Sequence, residues 1–282
     1  MLASAAQMKS GKDVSQPLAG KYIGMIFEKP STRTRVSFEV GISQLGGTPV
    51  VLSASDLQLG RGETVADTGR VLSRYLDGVM IRALQHETVT ELAANADIPV
   101  INGLTNLSHP CQIMADLQTI IEYHGSLKDA KVCWFGDGNN IANSWIEAAA
   151  LFGFELRLAG PEAYRPPAAL LAWARARGAE IILTEDPVAA AIDASVIATD
   201  VWVSMGDEAG SRERDMRPFQ VTTALMDRAQ PDAIFMHCLP AVRGQEVTAE
   251  VIDGTQSVVF DEAENRLHAQ KAIMAHILSE NF

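Results

Sequence analysis

The sequence predicts an α/β protein built from two doubly wound parallel-sheet domains, with the ligand site in the cleft between them. Short apolar runs typical of buried strands alternate with helical patterns almost throughout the 282 residues, and this alternation favours parallel sheets covered by helices. The alternation breaks at His124-Gly125-Ser126 and then restarts. Ligands bind at the carboxyl ends of the strands in such sheets, so a site between the two domains is expected.

The first half of the chain alternates four strands with four helices. Strands are expected at Lys21–Glu28, Thr48–Leu52, Gly78–Ile81 and Ile98–Ile101. Helices with apolar residues every three to four positions are expected at Ser31–Leu45, Thr64–Tyr75, Glu87–Ala96 and His109–Tyr123. Gly46-Gly47 should end the first of these helices, because glycine adopts the left-handed conformation common at helix ends.

The second half repeats the pattern with more strands. They are expected at Lys131–Phe135, Phe154–Ala159, Glu180–Leu183, Ser195–Ala198, Ala233–His237 and Ser257–Phe260. Helices are expected at Ile141–Phe152, Ala168–Arg177 and Asn265–Leu278. The last is amphipathic and should close the fold.

The composition narrows the class of protein. The chain has 47% hydrophobic and 21% charged residues, the balance of a soluble globular protein with a real core. No apolar run is long enough to span a bilayer, and MLASAAQMKSGK lacks the pattern of a secretory signal, so a cytoplasmic location is expected. The net charge of −12 argues against nucleic acid or an anionic membrane as partner.

The three cysteines give no sign of a disulfide framework or a zinc site. Cys111, Cys133 and Cys238 are odd in number and far apart, and no zinc-ligand spacing is present. His237 precedes Cys238 directly, but an adjacent pair is a weak metal signal. The sequence therefore predicts no metal site.

The segment Glu28–Arg35 (EKPSTRTR) lies where a predicted strand ends and a predicted helix begins. A helix start presents free N–H groups and a positive dipole end. Ser31, Thr32 and Thr34 add hydroxyl donors, and Arg33 adds a planar fork suited to phosphate oxygens. The alternative is an ordinary helix cap with solvated arginines. Two arginines within the first turn favour an anion site.

Two further positions in the first half could contact the same ligand. His109 and Gln112 open a helix and share one face, so they could bind a carbonyl oxygen and an amide nitrogen. Arg82 follows a strand, at the edge where open sheets bind ligands. The alternative for His109 is a histidine near a helix start whose hydrogen bonds are made by the backbone. The alternative for Arg82 is a surface arginine in a loop.

Side chains that could bind a charged ligand follow the strands of the second half. Asp200 ends one strand and could pair with an ammonium group, and Ser204 could bind a carboxylate. Cys238 follows another strand and could be a nucleophile or a small buried side chain. A helix-capping aspartate and a flexible loop are the plain alternatives for the first two.

The turn Gly136–Ser144 (GDGNNIANS) carries Asn143 and resembles a dinucleotide loop only superficially. It lacks a complete G-x-G-x-x-G, and the next strand ends in Gly-Pro without a ribose-binding acid. A nicotinamide cofactor is therefore disfavoured.

Taken in order, FEKPSTRTRVSFE, the arginine of MIRA, and HPCQ resemble the carbamoyl-phosphate half of the aspartate/ornithine carbamoyltransferase superfamily. DVWVSMG and HCLP resemble its ornithine branch. The aspartate branch would need a cation for a second carboxylate, which Asp200 would repel. The resemblance implies a carbamoyl-phosphate-binding domain at 1–123, joined by the C-terminal helix 265–282, and an ornithine-binding domain at 124–264, with the active site between them.

The resemblance also assigns residues to the substrates. The carbamoyl-phosphate group is Ser31, Thr32, Arg33, Thr34, Gln58, Arg82, His109, Gln112, Cys238, Leu239 and Arg266. The ornithine group is Asn143, Asp200, Ser204 and Met205. The catalytic group is Arg82, His109, Asp200 and Cys238, in which Cys238 contacts the attacking amine rather than forming a covalent bond.

The implied activity converts carbamoyl phosphate and L-ornithine to L-citrulline and phosphate, a step of arginine biosynthesis, with no metal or organic cofactor. The implied assembly is a homotrimer with sites at subunit interfaces, and Gln58 is the residue lent to a neighbouring subunit. The family has a further N-terminal helix, whose tail MLASAAQMKSGK resembles. Rival interpretations are a carbamoyltransferase for putrescine or an acylated ornithine, and a non-catalytic ligand-binding paralogue.

Overall fold

The computed structural model describes residues 1–53, 62–202 and 209–279. The chain forms two compact units, one of Met1–Gln118 with Glu264–Phe282 and one of Thr119–Ala263. Each contains one parallel sheet with helices, so the predicted class of two parallel-sheet α/β domains is confirmed. Within the described ranges, no helix is long and apolar enough to cross a membrane.

The first unit has a sheet of four parallel strands in the order β2-β1-β3-β4. The strands are β1 Tyr22–Phe27, β2 Thr48–Ser53, β3 Gly78–Arg82 and β4 Val100–Leu104. The helices that accompany them are α1 Leu2–Lys9, α2 Thr32–Gln44, α3 Val65–Leu72, α4 His86–Asn95 and α5 Pro110–His124, the last of which continues into the second unit after Gln118.

The second unit has a sheet of five parallel strands in the order β7-β6-β5-β8-β9. The strands are β5 Lys131–Phe135, β6 Glu155–Ala159, β7 Ile181–Thr184, β8 Val196–Thr199 and β9 Ile234–His237. The helices are α6 Asn140–Phe152, α7 Ala168–Arg175, α8 Pro187–Ala191, α9 Ala209–Met216, α10 Thr223–Met226, α11 Ala249–Ile252 and α12 Val259–Leu278, the last of which returns to the first unit.

The core of the first unit forms where α2 packs on the sheet. Phe38 and Ile42, one turn apart on α2, are fully buried with Met25 of β1, and Met274 of α12 joins the same cluster. Gly41 lets α12 approach, because a Cβ there would lie 3.1 Å from the methyl group of Met274. Replacing Phe38 with alanine would cost about 3–5 kcal/mol through lost burial and a cavity.

Both sheets reverse their strand order at one point, which determines where a ligand can lie. In the first unit the reversal lies between β1 and β3, and in the second between β5 and β8. Loops from the carboxyl ends of these strands diverge and leave a crevice. Ser31 and Arg82 follow or end the first pair of strands, and Asn139 and Asp200 follow the second pair.

One predicted strand is wrong and several short helices escaped prediction. Ser257 forms an isolated bridge with Phe235, but no strand continues through Phe260, because α12 already begins at Val259. Acidic Asp261 and Glu262 in its first turn stabilise the positive helix end. The strand predicted at Ile98–Ile101 lies two to three residues later, and α1 and α8–α11 are short.

Candidate active site

The amino end of α2 is the candidate anion site in the first unit. Ser31 has an extended backbone (φ −158°, ψ 111°), and its Oγ accepts from the backbone N–H of Thr34 at 3.3 Å. The loop from β1 thus turns into a capped helix whose positive end faces outward. Ser31 and Arg33 are half-buried and Thr32 is exposed, so these three can contact a ligand.

Thr34 contacts two other predicted site residues, Arg82 and Arg266, through its hydroxyl group. It is fully buried, and Oγ1 accepts from Arg82 Nη1 at 3.3 Å and from Arg266 Nη2 at 2.8 Å. Arg82 comes from the end of β3 and Arg266 from α12. Sequence reasoning placed all three in one site, and the fold of the unit brings them into contact.

Gln112 extends this cluster along α5. Its Oε1 accepts from Arg266 Nη1 at 2.6 Å, and its Nε2 donates to Asp116 Oδ1 at 2.8 Å. Gln112 is fully buried, and Asp116 and Arg266 are 3% exposed each. Asp116 was not predicted, although its position four residues after Gln112 puts it on the same helix face.

His109 lies directly before α5 and is 4% exposed. Burial, and then the positive charges of Arg266 and Arg82, hold the pKa of His109 well below its ordinary value. The imidazole is therefore neutral near pH 7 and can donate one hydrogen bond. Two guanidinium groups, a neutral imidazole and a helix amino end can together receive an anion that carries a polar carbonyl group.

In the second unit, Asp200 is held by donors from three directions. Its Oδ1 accepts from its neighbour Val201 N at 2.8 Å and from Cys238 Sγ at 3.2 Å. Its Oδ2 accepts from Asn139 Nδ2 at 3.2 Å. The carboxyl ends of β5, β8 and β9 thus converge on one acid. Asn139, which also caps α6, was not predicted as a site residue.

The segment after β9 is held by a buried histidine–glutamate pair. The backbone N–H of Leu239 donates to His237 Nδ1 at 2.9 Å, and His237 Nε2 lies 3.2 Å from Glu246 Oε1. Both side chains are fully buried. Because Nδ1 accepts a hydrogen bond, Nε2 carries the proton and donates to Glu246. This contact fixes Leu239, which has a left-handed backbone (φ 56°), next to Cys238.

Ligand atoms of Asp200, His237 and Cys238 lie within 4.8 Å of one another, close enough for a metal ion. Both ring nitrogens of His237 already have hydrogen-bond partners, Leu239 and Glu246. A metal would have to displace one of them. The cluster is better described as a hydrogen-bonded support for Cys238 and Asp200.

The remaining predicted residues fall into two groups. Asn143 lies on α6 in the same unit as Asp200 and is 4% exposed. Gln58, Ser204 and Met205 lie outside the described residues. Glu246 was missed because a partner nine residues beyond His237 matches no helix or strand period.

The glycine-containing turn after β5 closes on its own chain. A Cβ at Gly138 would lie 2.2 Å from the backbone nitrogen of Pro166, so the loop after β6 packs directly on this glycine. The remaining cavity there measures about 10 Å³, the space of about one water molecule.

Two family models cover the chain. Residues 1–122 match "Aspartate/ornithine carbamoyltransferase, carbamoyl-P binding domain". Residues 128–277 match "Aspartate/ornithine carbamoyltransferase, Asp/Orn binding domain". The boundary between the two matches falls close to the end of α5.

Relatives and solved structures agree with these models. The ornithine carbamoyltransferase of Bradyrhizobium diazoefficiens is 57% identical over 279 residues, which cover 98% of this chain and 91% of the relative. The structure of the Pyrococcus furiosus ornithine carbamoyltransferase superposes with a TM-score of 0.95 at 50% identity, covering 100% of this chain and 92% of that one. The anabolic enzyme of Campylobacter jejuni gives 0.93 at 41% identity, covering 98% and 93%. The chain belongs to the aspartate/ornithine carbamoyltransferase family.

Proposed function

We propose that the protein transfers the carbamoyl group of carbamoyl phosphate to the δ-amine of L-ornithine, giving L-citrulline and phosphate. The observation that carries this proposal is the cluster in which Arg82 and Arg266 converge on Thr34 at the capped start of α2. Relatives at 56–57% identity named ornithine carbamoyltransferase support the same reaction.

Carbamoyl phosphate binds to the first unit. The amino end of α2 and the side chains of Ser31, Thr32 and Arg33 hold the phosphate group, since N–H dipoles and a guanidinium suit a dianion. Arg82 and His109 donate to the carbonyl oxygen. This proposal assigns residues 1–123, with helix 265–282, to carbamoyl phosphate.

Three further groups complete the carbamoyl-phosphate site. Thr34 binds beside the phosphate and the carbonyl oxygen, an assignment supported by its contacts with Arg82 and Arg266. Gln112 offers its carbonyl oxygen to the carbamoyl NH₂ group. Cys238 and Leu239 contribute from the loop that the His237–Glu246 pair holds.

Ornithine binds to residues 124–264. The δ-amine must be neutral to attack, although its free pKa should resemble that of lysine, ~10.4. Asp200 and Cys238 orient the amine, and the Asp200 carboxylate accepts its proton directly or through water. Asn143, Ser204 and Met205 hold the amino-acid end.

The chemical step forms one C–N bond and breaks one C–O bond. The δ-nitrogen attacks the carbamoyl carbon, and negative charge develops on the carbonyl oxygen, where Arg82 and neutral His109 stabilise it. The tetrahedral intermediate collapses with phosphate as leaving group, and Arg33 and the helix end stabilise that phosphate. Because phosphate leaves readily, no covalent intermediate on Cys238 is required.

We also propose a cytoplasmic homotrimer that serves arginine biosynthesis, in which Gln58 contributes to a neighbouring subunit's site. All three cysteines are among the described residues and form no disulfide, which suits a reducing compartment. Light scattering of the purified protein measures the assembly directly, and a mass of three chains is expected.

The function is tested with carbamoyl phosphate and three competing acceptors at equal concentration: L-ornithine, putrescine and L-aspartate. The expected product is citrulline with an equal amount of phosphate, because Asp200 repels a second carboxylate and putrescine lacks the group that Ser204 and Met205 bind. A dominant carbamoylputrescine or carbamoylaspartate product would contradict the proposal. Binding of carbamoyl phosphate without turnover would favour a non-catalytic paralogue.

A further inference from the structure

A buried acid lies one helical turn beyond Gln112 on α5. Asp116 Oδ1 accepts from Gln112 Nε2 at 2.8 Å, and the side chains are 3% and 0% exposed. Residues four apart face the same side of a helix, so this contact follows directly from the α5 backbone. The reaction described above leaves Asp116 without a role.

The contact has a direction, because a carboxamide donates at one end and accepts at the other. Gln112 donates its NH₂ group to Asp116, and its carbonyl oxygen accepts from Arg266 Nη1 at 2.6 Å. A flipped amide would place NH₂ against a guanidinium, which is donor against donor. It would also place the carbonyl oxygen against the acid. Asp116 and Arg266 therefore fix a single orientation.

We propose that Asp116 is a positioning residue that sets the selectivity of the site for carbamoyl phosphate over acyl phosphates without an N–H group. It acts through Gln112, whose carbonyl oxygen it keeps turned toward the substrate's NH₂ group. This inference rests on the proposed function and deepens it. A carbonyl oxygen has two lone pairs, so Gln112 can accept from Arg266 and from the substrate together.

Acetyl phosphate is the matching probe, because it keeps the phosphate and the carbonyl group and replaces NH₂ with a methyl group. The methyl group cannot donate to Gln112, and it displaces any water that could. A site built to hydrogen-bond an N–H group binds an analogue that lacks it less well, since the Gln112 carbonyl oxygen then accepts from Arg266 but not from the ligand.

Removing Asp116 should weaken this discrimination between carbamoyl phosphate and acetyl phosphate. The Gln112 NH₂ group then loses the Asp116 carboxylate, and Arg266 alone holds the amide, so orientations that turn the NH₂ group toward the substrate become more populated. Carbamoyl phosphate loses its partner, whereas acetyl phosphate never had one. Selectivity between the two ligands therefore changes, which a general loosening of the site would not produce.

The test compares the wild-type protein with Asp116→Ala and Asp116→Leu. Citrulline formation gives the KM for carbamoyl phosphate and the competitive Ki of acetyl phosphate. The ratio of Ki to KM should fall roughly tenfold in the variants, through a higher KM and a nearly unchanged Ki. The two variants risk opposite faults, a cavity and an overpacked site, so one that folds is sufficient.

Thr68→Val serves as the control. Thr68 is a buried polar residue of α3 in the same unit, and its hydroxyl donates to the carbonyl of Thr64 at 3.1 Å. This variant should lose stability without a change in the ratio. An unchanged ratio in a folded Asp116 variant, or an equal weakening of both ligands, overturns the inference. A wild type that makes no citrulline overturns the proposed function instead.

Discussion

Two arginines in the first turn of α2 differ in their surroundings, and the difference separates their roles. Arg33 is half-buried at the helix start, beside the capped backbone N–H groups. Arg35 is exposed and pairs with Glu39 at 3.4 Å, one turn along the helix. An exposed pair of this kind contributes little to stability, so only Arg33 is expected to contact the phosphate group.

Replacing Arg33 with alanine should lower kcat/KM for carbamoyl phosphate by roughly 30- to 1000-fold, because one charge contact to the transition state is worth ~2–4 kcal/mol. Arg35→Ala should leave kcat/KM within about threefold of the wild type, since its charge is screened by solvent. Steady-state kinetics of citrulline formation measures both. Equal effects of the two changes would refute the phosphate assignment.

Cys238 donates to Asp200 at 3.2 Å, which suits a group that orients an amine rather than one that attacks a carbonyl carbon. Cys238→Ser keeps a donor of similar shape. It should retain turnover with kcat reduced roughly tenfold, the cost of a weakened hydrogen bond. Mass spectrometry of the wild type with carbamoyl phosphate alone should find no carbamoyl adduct on this thiol. Complete loss of turnover in the serine variant, or an adduct, would support covalent catalysis.

At the scale of helices and strands, two helix caps separate an effect on stability from an effect on ligand binding. Ser31 caps α2 with its side chain at 3.3 Å from Thr34 N, and Thr64 caps α3 in the same way at 3.0 Å from Asp67 N. The two caps should stabilise their helices to a similar extent. Only the first lies at the proposed phosphate site.

Ser31→Ala and Thr64→Ala should each lower the free energy of unfolding by about 1 kcal/mol, the usual value of a helix cap. Ser31→Ala should also raise the KM for carbamoyl phosphate several-fold, because it removes a ligand donor. Urea unfolding and citrulline kinetics give the two quantities. A raised KM in Thr64→Ala as well would attribute the effect to stability rather than to phosphate contact.

Local sequence patterns predicted most of the helices and strands, but they did not predict contacts between side chains that the folded chain brings together. The run Lys131–Phe135 is a strand with the expected bounds because its last four residues are buried in the middle strand of the sheet. The run Ser257–Phe260 is also mostly apolar, yet Phe260 is 72% exposed, and α12 has already begun at Val259. His237 and Glu246 meet through the loop between them, and no residue period encodes such a contact.

The same division holds for the site. Ser31–Thr34, Arg82 and His109 could be proposed as site residues because each stands at a strand end or a helix start, where parallel sheets bind ligands. Asp116 and Asn139 were not predicted, since an acid or an amide at those positions is equally common as a plain helix residue or cap. Their roles depend on partners that only the folded chain supplies.

At the scale of the whole molecule, a buried neutral histidine links stability to pH. The pKa of His109 is held well below its ordinary value by burial and then by Arg266 and Arg82. In the unfolded chain His109 becomes protonated as the pH falls through about 6.5, whereas in the folded chain it stays neutral at that pH. The contribution of His109 to stability is therefore complete above about pH 6.5 and declines as the pH falls below it.

The free energy of unfolding should thus fall between pH 6.5 and pH 5.5, with His109 contributing up to about 1.4 kcal/mol per pH unit. His109→Asn, which cannot be protonated, should show a shallower dependence in this range and a parallel one between pH 7 and 8. Urea unfolding at each pH provides the values. Equal slopes for the two proteins below pH 6.5 would contradict a buried neutral His109.

The central claim is that the protein joins the carbamoyl carbon to the δ-nitrogen of ornithine. The most direct measurement supplies carbamoyl phosphate labelled with ¹³C and ornithine labelled with ¹⁵N at the δ-position, and follows the reaction by NMR. We expect citrulline whose carbamoyl carbon shows one-bond coupling to ¹⁵N, with one phosphate released per coupled product. Release of phosphate without coupling, or a carbamoyl carbon bound to the unlabelled α-nitrogen, would contradict the account.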